Sequence, residues 1–263
     1  MSLDVADDVA LVTASSSGLG RASAAVLAEE NANVVLNGRD EDRLDEAVAA
    51  LDALGAGSVV GVAGDLTQRE DIEALVTATV EEFGGLDHLV TSAGGPPSGP
   101  FMGTDDEDWY HAFDLLVMSV VRLVREAAPH LQDGDGGTIV NITSRSVKEA
   151  IDSLVLSNAV RMGVIGLEKT LSTELAPEVR ANAVLPGPHE TSRIEELVEQ
   201  SVERGEYDSY EEGLAARAEG IPLERIGEPR ELGEVVAFLC SPRSSYLNGV
   251  AIPIDGGAGA ANL

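Results

Sequence analysis

Residues 9–21 run Val9-Ala10-Leu11-Val12-Thr13-Ala14-Ser15-Ser16-Ser17-Gly18-Leu19-Gly20-Arg21. A short, wholly apolar run breaks into a turn of serines and glycines, and a helical pattern follows at once over about 19–30. Apolar runs without alternation are what strands buried on both faces look like. A helix that starts directly after such a strand aims its unpaired N–H groups at the strand's carboxyl end, a good place for a pyrophosphate. Gly18 and Gly20 let the backbone approach such a ligand and pack helix on strand. Alone, the spacing also suits an ordinary strand-to-helix turn.

The same unit repeats outward along the chain. Strands are expected at 9–13, 33–37, 58–62, 87–91, 137–142, 179–185 and 250–254. Helices are expected between them at about 40–54, 68–83, 105–131, 153–176, 195–218 and 230–240. Alternating strands and helices demand right-handed crossovers and a parallel sheet. The fold class is therefore α/β: a doubly wound, Rossmann-type sheet of about seven strands in a three-layer α/β/α sandwich. Its ligand crevice lies at the carboxyl ends of the strands. No linker or composition break divides the chain, so 1–263 is expected to be a single dinucleotide-binding domain.

Composition limits the partners. Hydrophobic residues make up 44% of the chain, which excludes general disorder. No apolar run is long enough to cross a membrane, and the N-terminus resembles no signal peptide, so the cytoplasm is expected. Cys240 is the single cysteine and has no partner for a disulfide or a cysteine-built zinc site; it is expected to be buried, and no metal site is expected. The chain carries 46 acidic against 17 basic residues, a net charge of -29. Such a surface repels nucleic acid and anionic membranes, which leaves a small molecule as the expected ligand. The carboxylates are spread along the chain, and only Lys148 and Lys169 are lysines. That pattern resembles proteins of salt-accumulating halophiles, whose self-repelling surfaces need salt for screening.

Several further stretches carry a family resemblance. Thr13 to Gly20 resembles the T-G-x-x-x-G-x-G motif of the short-chain dehydrogenase/reductase family, with Ala14 for the first glycine. Ser92-Ala93-Gly94 resembles its N-A-G motif, with Ser92 for asparagine, and Arg180 to Gly187 resembles R-V-N-x-V-x-P-G. Arg225-Ile226-Gly227-Glu228-Pro229 and Asp255-Gly256-Gly257 fit its C-terminal pattern, so the likeness spans roughly 5–258. It implies a nicotinamide cofactor touched by Thr13, Ser15, Ser17, Gly18, Leu19 and Gly20. It also implies contacts from Asp65 and Leu66 near the adenine, from Ser92, Ala93 and Gly94, and from Pro186, Gly187 and Thr191 near the nicotinamide. Residues 192–220 fall where the family has its substrate lid.

Cofactor choice is read just past the second strand, where an acidic residue binds the ribose 2′-OH and an arginine suits a 2′-phosphate. Gly38 occupies the NAD-selecting position and Arg39 follows. A guanidinium pairs bidentately with phosphate, so NADP is expected, with NAD as second choice.

The family's acid–base chemistry uses Asn, Ser, Tyr and Lys, and here the pattern departs. No Tyr-x-x-x-Lys occurs in any register. Aligning Gly163 to Leu167 places Ser157 at the Tyr position and Arg161 at the Lys position; Leu116 falls at the Asn position, and Ser144 alone is retained. A serine hydroxyl is much less acidic than a phenol. Arg161 keeps the charge and can hold ribose hydroxyls. The catalytic set is therefore Ser144, Ser157 and Arg161, with Lys148 and His189 as alternative acids. The expected activity is hydride transfer to a small carbonyl or from an alcohol, of 3-oxoacyl or sugar and polyol type. The alternative is an inactive NADP(H)-binding regulatory or partner protein. A dimer or tetramer is expected; Val117, Val121 and Val124 suit either its interface or the core. Trp109 and Tyr110 are expected in the core.

Overall fold

The computed structural model describes residues 2–261 except 56, 135 and 204. Its strands are β1 (Val9–Val12), β2 (Asn33–Gly38), β3 (Val59–Ala63), β4 (His88–Thr91), β5 (Gly137–Ile142), β6 (Val179–Pro186) and β7 (Ala251–Ile254). They form one parallel sheet in the order β3-β2-β1-β4-β5-β6-β7. The chain runs outward from β1 to β3 and then returns past β1 to β4, so the direction of winding reverses between β1 and β4. Ligands bind outside the carboxyl ends of the strands at such a reversal. Thr13 and Ser92, the residues just past these two strands, are tied there: Thr13 Oγ1 donates to the Ser92 carbonyl (2.7 Å) and accepts the Ser92 N–H (2.9 Å).

The apolar runs become strands because both faces are covered. Leu11, Val35, Leu89, Ile139 and Ala181 face one cluster, with α3 (Arg69–Phe83), α5 (Ser119–Leu131) and α6 (Val155–Glu174). Ala10, Val12, Val34, Leu36, Val90, Val140 and Val184 face the other, with α1 (Gly18–Glu29), α2 (Glu41–Asp52) and α9 (Pro229–Cys240). Each fully buried Leu, Ile or Val adds about 1.5–3 kcal/mol of transfer free energy. Cys240 is buried in the second cluster, where desolvation pushes its thiol up to about 12.

Two expected helices are each divided. The long helix over 105–131 consists of α4 (Asp106–Phe113), a π turn (Asp114–Met118) and α5. The Ser119 N–H reaches back five residues to the Asp114 carbonyl, so the backbone carries one residue more per turn there. The acidic segment is two helices, α7 (Ser192–Glu203) and α8 (Tyr210–Ala218), the second capped by the Ser209 hydroxyl.

Of the side chains expected in the core, Tyr110 alone is placed otherwise among those described. Val117 and Val124 are core residues, and Trp109 packs against the same cluster with its indole N–H on Thr104 Oγ1 (3.1 Å). Tyr110 is instead 75% exposed, and Phe113 on α4 and Met162 on α6 are half exposed.

Candidate active site

The glycine turn is shaped by contacts that leave the start of α1 open. A Cβ on Gly20 would lie 2.6 Å from the Ala14 carbonyl oxygen, a distance no side chain tolerates. Ala14 itself adopts φ +46, the left-handed region, where the family motif has glycine. Ser17 stands at the N-cap of α1 and makes no side-chain cap bond, so the first N–H groups of the helix are not blocked by it. These features fit a pyrophosphate.

Sequence reasoning missed Asn37, which fastens the turn. Its amide oxygen accepts the Ala14 N–H (3.2 Å), and its Nδ2 donates to the carbonyls of Val62 (3.3 Å) and Gly64 (3.2 Å). One buried amide thereby joins the ends of β1, β2 and β3. Ser15 is turned inward as well. Its hydroxyl donates to the Val12 carbonyl (2.6 Å) and accepts the Asn37 N–H (3.0 Å), and its own N–H donates to the Asn37 carbonyl (2.8 Å). Ser15 and Thr13 therefore brace the turn with side chains that are fully buried, rather than presenting hydroxyls to the crevice.

The adenosine end lies at β2. A Cβ on Gly38 would be 2.9 Å from Ser16 Oγ, so glycine here leaves Ser16 in place where a carboxylate would displace it. Arg39 is exposed. No ion pair joins it to Asp40 among the described residues; Asp40 caps α2, its Oδ1 accepting the Arg43 N–H (3.0 Å). Partial burial raises the Asp65 carboxyl, but bonds from Thr67 and the charge of Arg39 hold it below the ordinary carboxylate value. Leu66 is buried beside it. Arg21 and Arg43 line a cavity of about 320 Å³ with Ser16, Ser17 and Thr191. Thr191 begins the lid segment directly above the turn, its methyl 3.9 Å from a Cβ placed on Gly18.

The opposite end of the crevice gathers hydroxyls around one cation. Arg161 is buried on α6; its Nε donates to Ser157 Oγ (3.2 Å) and its Nη2 to the Gly94 carbonyl. Desolvation pulls the guanidinium down to about 10, so it stays charged at neutral pH. Ser157 Oγ lies 3.1 Å from Ser146 Oγ, and the Ser146 N–H donates to Ser144 Oγ (3.1 Å). Ser144, Ser157 and Arg161 are thus brought together with Gly94, and Ser146 joins them. The only sequence signal for Ser146 was its place two residues after Ser144.

The two alternative acids are placed elsewhere. Lys148 is exposed past the short 3-10 turn Arg145–Val147, and its ammonium meets no partner among the described residues. The His189 ring is buried against Gly227, with Nδ1 on the Gly187 carbonyl (3.0 Å), and desolvation lowers its pKa. It lines a separate cavity of about 530 Å³ with Arg225, Glu231 and Asp255, which none of the three serines borders. Gly187 and Pro186 close that side, the Gly187 N–H bonding the Ile254 carbonyl (2.9 Å).

A family model described as enoyl-(acyl carrier protein) reductase matches residues 13–259. Dehydrogenase/reductase SDR family member 4 of Oryctolagus cuniculus is 33% identical over 256 residues, covering 97% of this chain and 94% of that protein. The chain belongs to the short-chain dehydrogenase/reductase family. The mitochondrial dehydrogenase/reductase SDR family member 2 of Homo sapiens is 34% identical over 256 residues, 96% of this chain and 86% of that protein. Among solved structures, L-sorbose reductase from Gluconobacter frateurii, complexed with NADPH and L-sorbose, superposes with a TM-score of 0.95 at 32% identity, covering 99% of this chain and 100% of that one. Levodione reductase superposes at 0.88 with 29% identity over 97% and 99% of the two chains. This short-chain family member is accordingly an oxidoreductase enzyme, and no helix among its described residues is long and apolar enough to cross a membrane.

Proposed function

We propose that the protein is an NADP(H)-dependent reductase of small ketones, of sugar, polyol or 3-oxoacyl type, working with a rewritten proton-donating site. The observation that carries this is Arg161, which bonds Ser157 Oγ and the Gly94 carbonyl at once. It fastens the hydroxyl group cluster to the segment that ends β4, beside the expected nicotinamide. NADPH, when bound, would supply a hydride to the carbonyl carbon. Ser144 would polarise the carbonyl oxygen by a hydrogen bond from its hydroxyl, since its lone pair already accepts the Ser146 N–H. Arg161 would hold the nicotinamide ribose, and it places a positive charge behind Ser157 that favours the oxyanion as it develops. Arg39, free of Asp40, would take the 2′-phosphate. Thr191 and the segment 192–220 would close over the cofactor as a lid on a single domain. L-sorbose reductase, with NADPH and L-sorbose bound, supports the ketose class by analogy.

The surroundings complete the proposal. The protein works in a salt-rich cytoplasm, and two copies pair through Tyr110, Phe113 and Met162 on the adjoining α4 and α6.

The test uses NADPH deuterated at the transferable position, incubated with ketoses, cyclic diketones and 3-oxoacyl thioesters in concentrated KCl. Deuterium in an alcohol product is the expected result and names the substrate. Tight NADPH binding with no labelled product from any class would overturn the reductase and leave a cofactor-binding partner protein.

A further inference from the structure

The three serines at the crevice differ in what their hydrogens can do. Ser157 Oγ receives the Arg161 Nε–H (3.2 Å). The guanidinium repels the hydroxyl hydrogen, which therefore points away, to Ser146 Oγ 3.1 Å distant. Ser146 Oγ thus acts as acceptor, and its own hydrogen meets no acceptor among the described residues. Its main-chain N–H is already on Ser144 Oγ (3.1 Å), so the residue that holds Ser144 also carries a hydroxyl hydrogen that is free among the described residues. Both Ser146 and Ser157 are more than nine-tenths buried, which strengthens a charge-assisted chain.

From this geometry we infer that Ser146 is a catalytic residue: its hydroxyl delivers the proton to the substrate oxygen held by Ser144 and is refilled through Ser157. The inference rests on the proposed reductase activity. The reduced carbonyl oxygen, holding the former C=O π pair, takes the Ser146 hydrogen. Ser146 takes the hydrogen of Ser157, and a crevice water protonates Ser157, its hydroxide passing to buffer. One proton is consumed per turnover and every hydroxyl is restored. Arg161 stays charged throughout and lowers the energy of the transient oxyanion on each serine in turn. The phenol of the family pattern is replaced by two weaker hydroxyls polarised by a cation.

Two experiments test this. In the first, Ser146→Ala is compared with wild type on the ketone identified by deuterium transfer. The expected loss is about a hundred-fold in kcat, the scale of a positioned proton donor, with NADPH affinity unchanged and with Ser146→Thr recovering most of the activity. A kcat within a factor of about two of wild type would overturn the inference while leaving the reductase standing. A wild type without turnover overturns both. The second experiment needs no turnover: Ser146→Cys is alkylated by a small thiol reagent across pH, with buried Cys240 as a silent background. A thiol that reacts with a pKa below about 8.5, and that rises when Ser157→Ala removes the link to Arg161, is expected. An unreactive thiol, or one indifferent to Ser157→Ala, refutes the relay.

Discussion

An alanine at position 14 holds a left-handed backbone, φ +46, that the family motif assigns to glycine. The left-handed region costs an L-residue roughly 1–2 kcal/mol, and glycine returns about half of that as chain entropy. Ala14→Gly is therefore expected to raise stability by about 0.5–1 kcal/mol, read as an increase in unfolding temperature with NADPH affinity retained. Glu168 presents a different cost. It is 1% exposed, one carboxyl oxygen has no partner among the described residues, and desolvation raises its pKa to about 7 against the weaker pull of Lys169. The unfolded chain ionises this group near 4.5, so its contribution is full below that pH and is lost as pH climbs toward 7. Glu168→Gln should match wild type near pH 4.5 and exceed it at pH 8 by about 2 kcal/mol, measured by thermal unfolding at constant salt. At this scale the sequence disclosed the site unevenly. Ser144, Ser157 and Arg161 could be named in advance only through the family resemblance, by aligning residues 163–167, and the structure brings their side chains together. Asn37 and Ser146 were not legible, because their roles depend on contacts with β3 and α6 that no local pattern records.

Strands were the most legible elements. Burial on both faces favours near-continuous apolar runs, and β5 lies over the expected 137–142 even though it buries Thr138 and Asn141 among its apolar residues. The π turn was illegible for the opposite reason: one extra residue in a helical turn changes no composition, and Asp114 to Met118 continues the apolar pattern on either side. The split of the acidic segment did leave a signal in Ser209 and Glu212, an N-cap spacing hidden among surrounding carboxylates. The junction of β2 and α2 invites a prediction, because Asp40 is committed to capping and Gly38 leaves Ser16 undisturbed. Arg39→Ala should weaken NADPH binding ten- to a hundred-fold, about 1.5–3 kcal/mol for a charged hydrogen-bond partner, and leave NADH within about two-fold. Fluorescence titration of both cofactors decides it; equal losses would place the 2′-phosphate elsewhere.

Over the whole molecule, a net charge of -29 has few internal partners. Apart from the His88–Asp8 contact, the described ion pairs all use arginine, as in Arg230 with Glu29 and Glu234, and exposed pairs of this kind contribute about 0–1 kcal/mol each. Repulsion among the remaining carboxylates is then the term that salt controls. Raising KCl from about 0.1 M to about 1 M shortens the screening length from roughly 10 Å to 3 Å, and the unfolding temperature is expected to climb with it; a flat or falling curve would refute salt dependence. Pairing through α4 and α6 is checked by sedimentation: Phe113→Glu with Met162→Glu should yield monomers that still bind NADPH. Reliance on arginine has a practical side too. Lysine amines number two, and Lys169 already holds the Gly249 carbonyl (3.1 Å) while Lys148 stands open, four residues past Ser144. Of the two lysines, an amine-reactive dye applied to the native protein would therefore report chiefly from Lys148, an optical marker on the surface turn after Ser144 that needs no engineered cysteine.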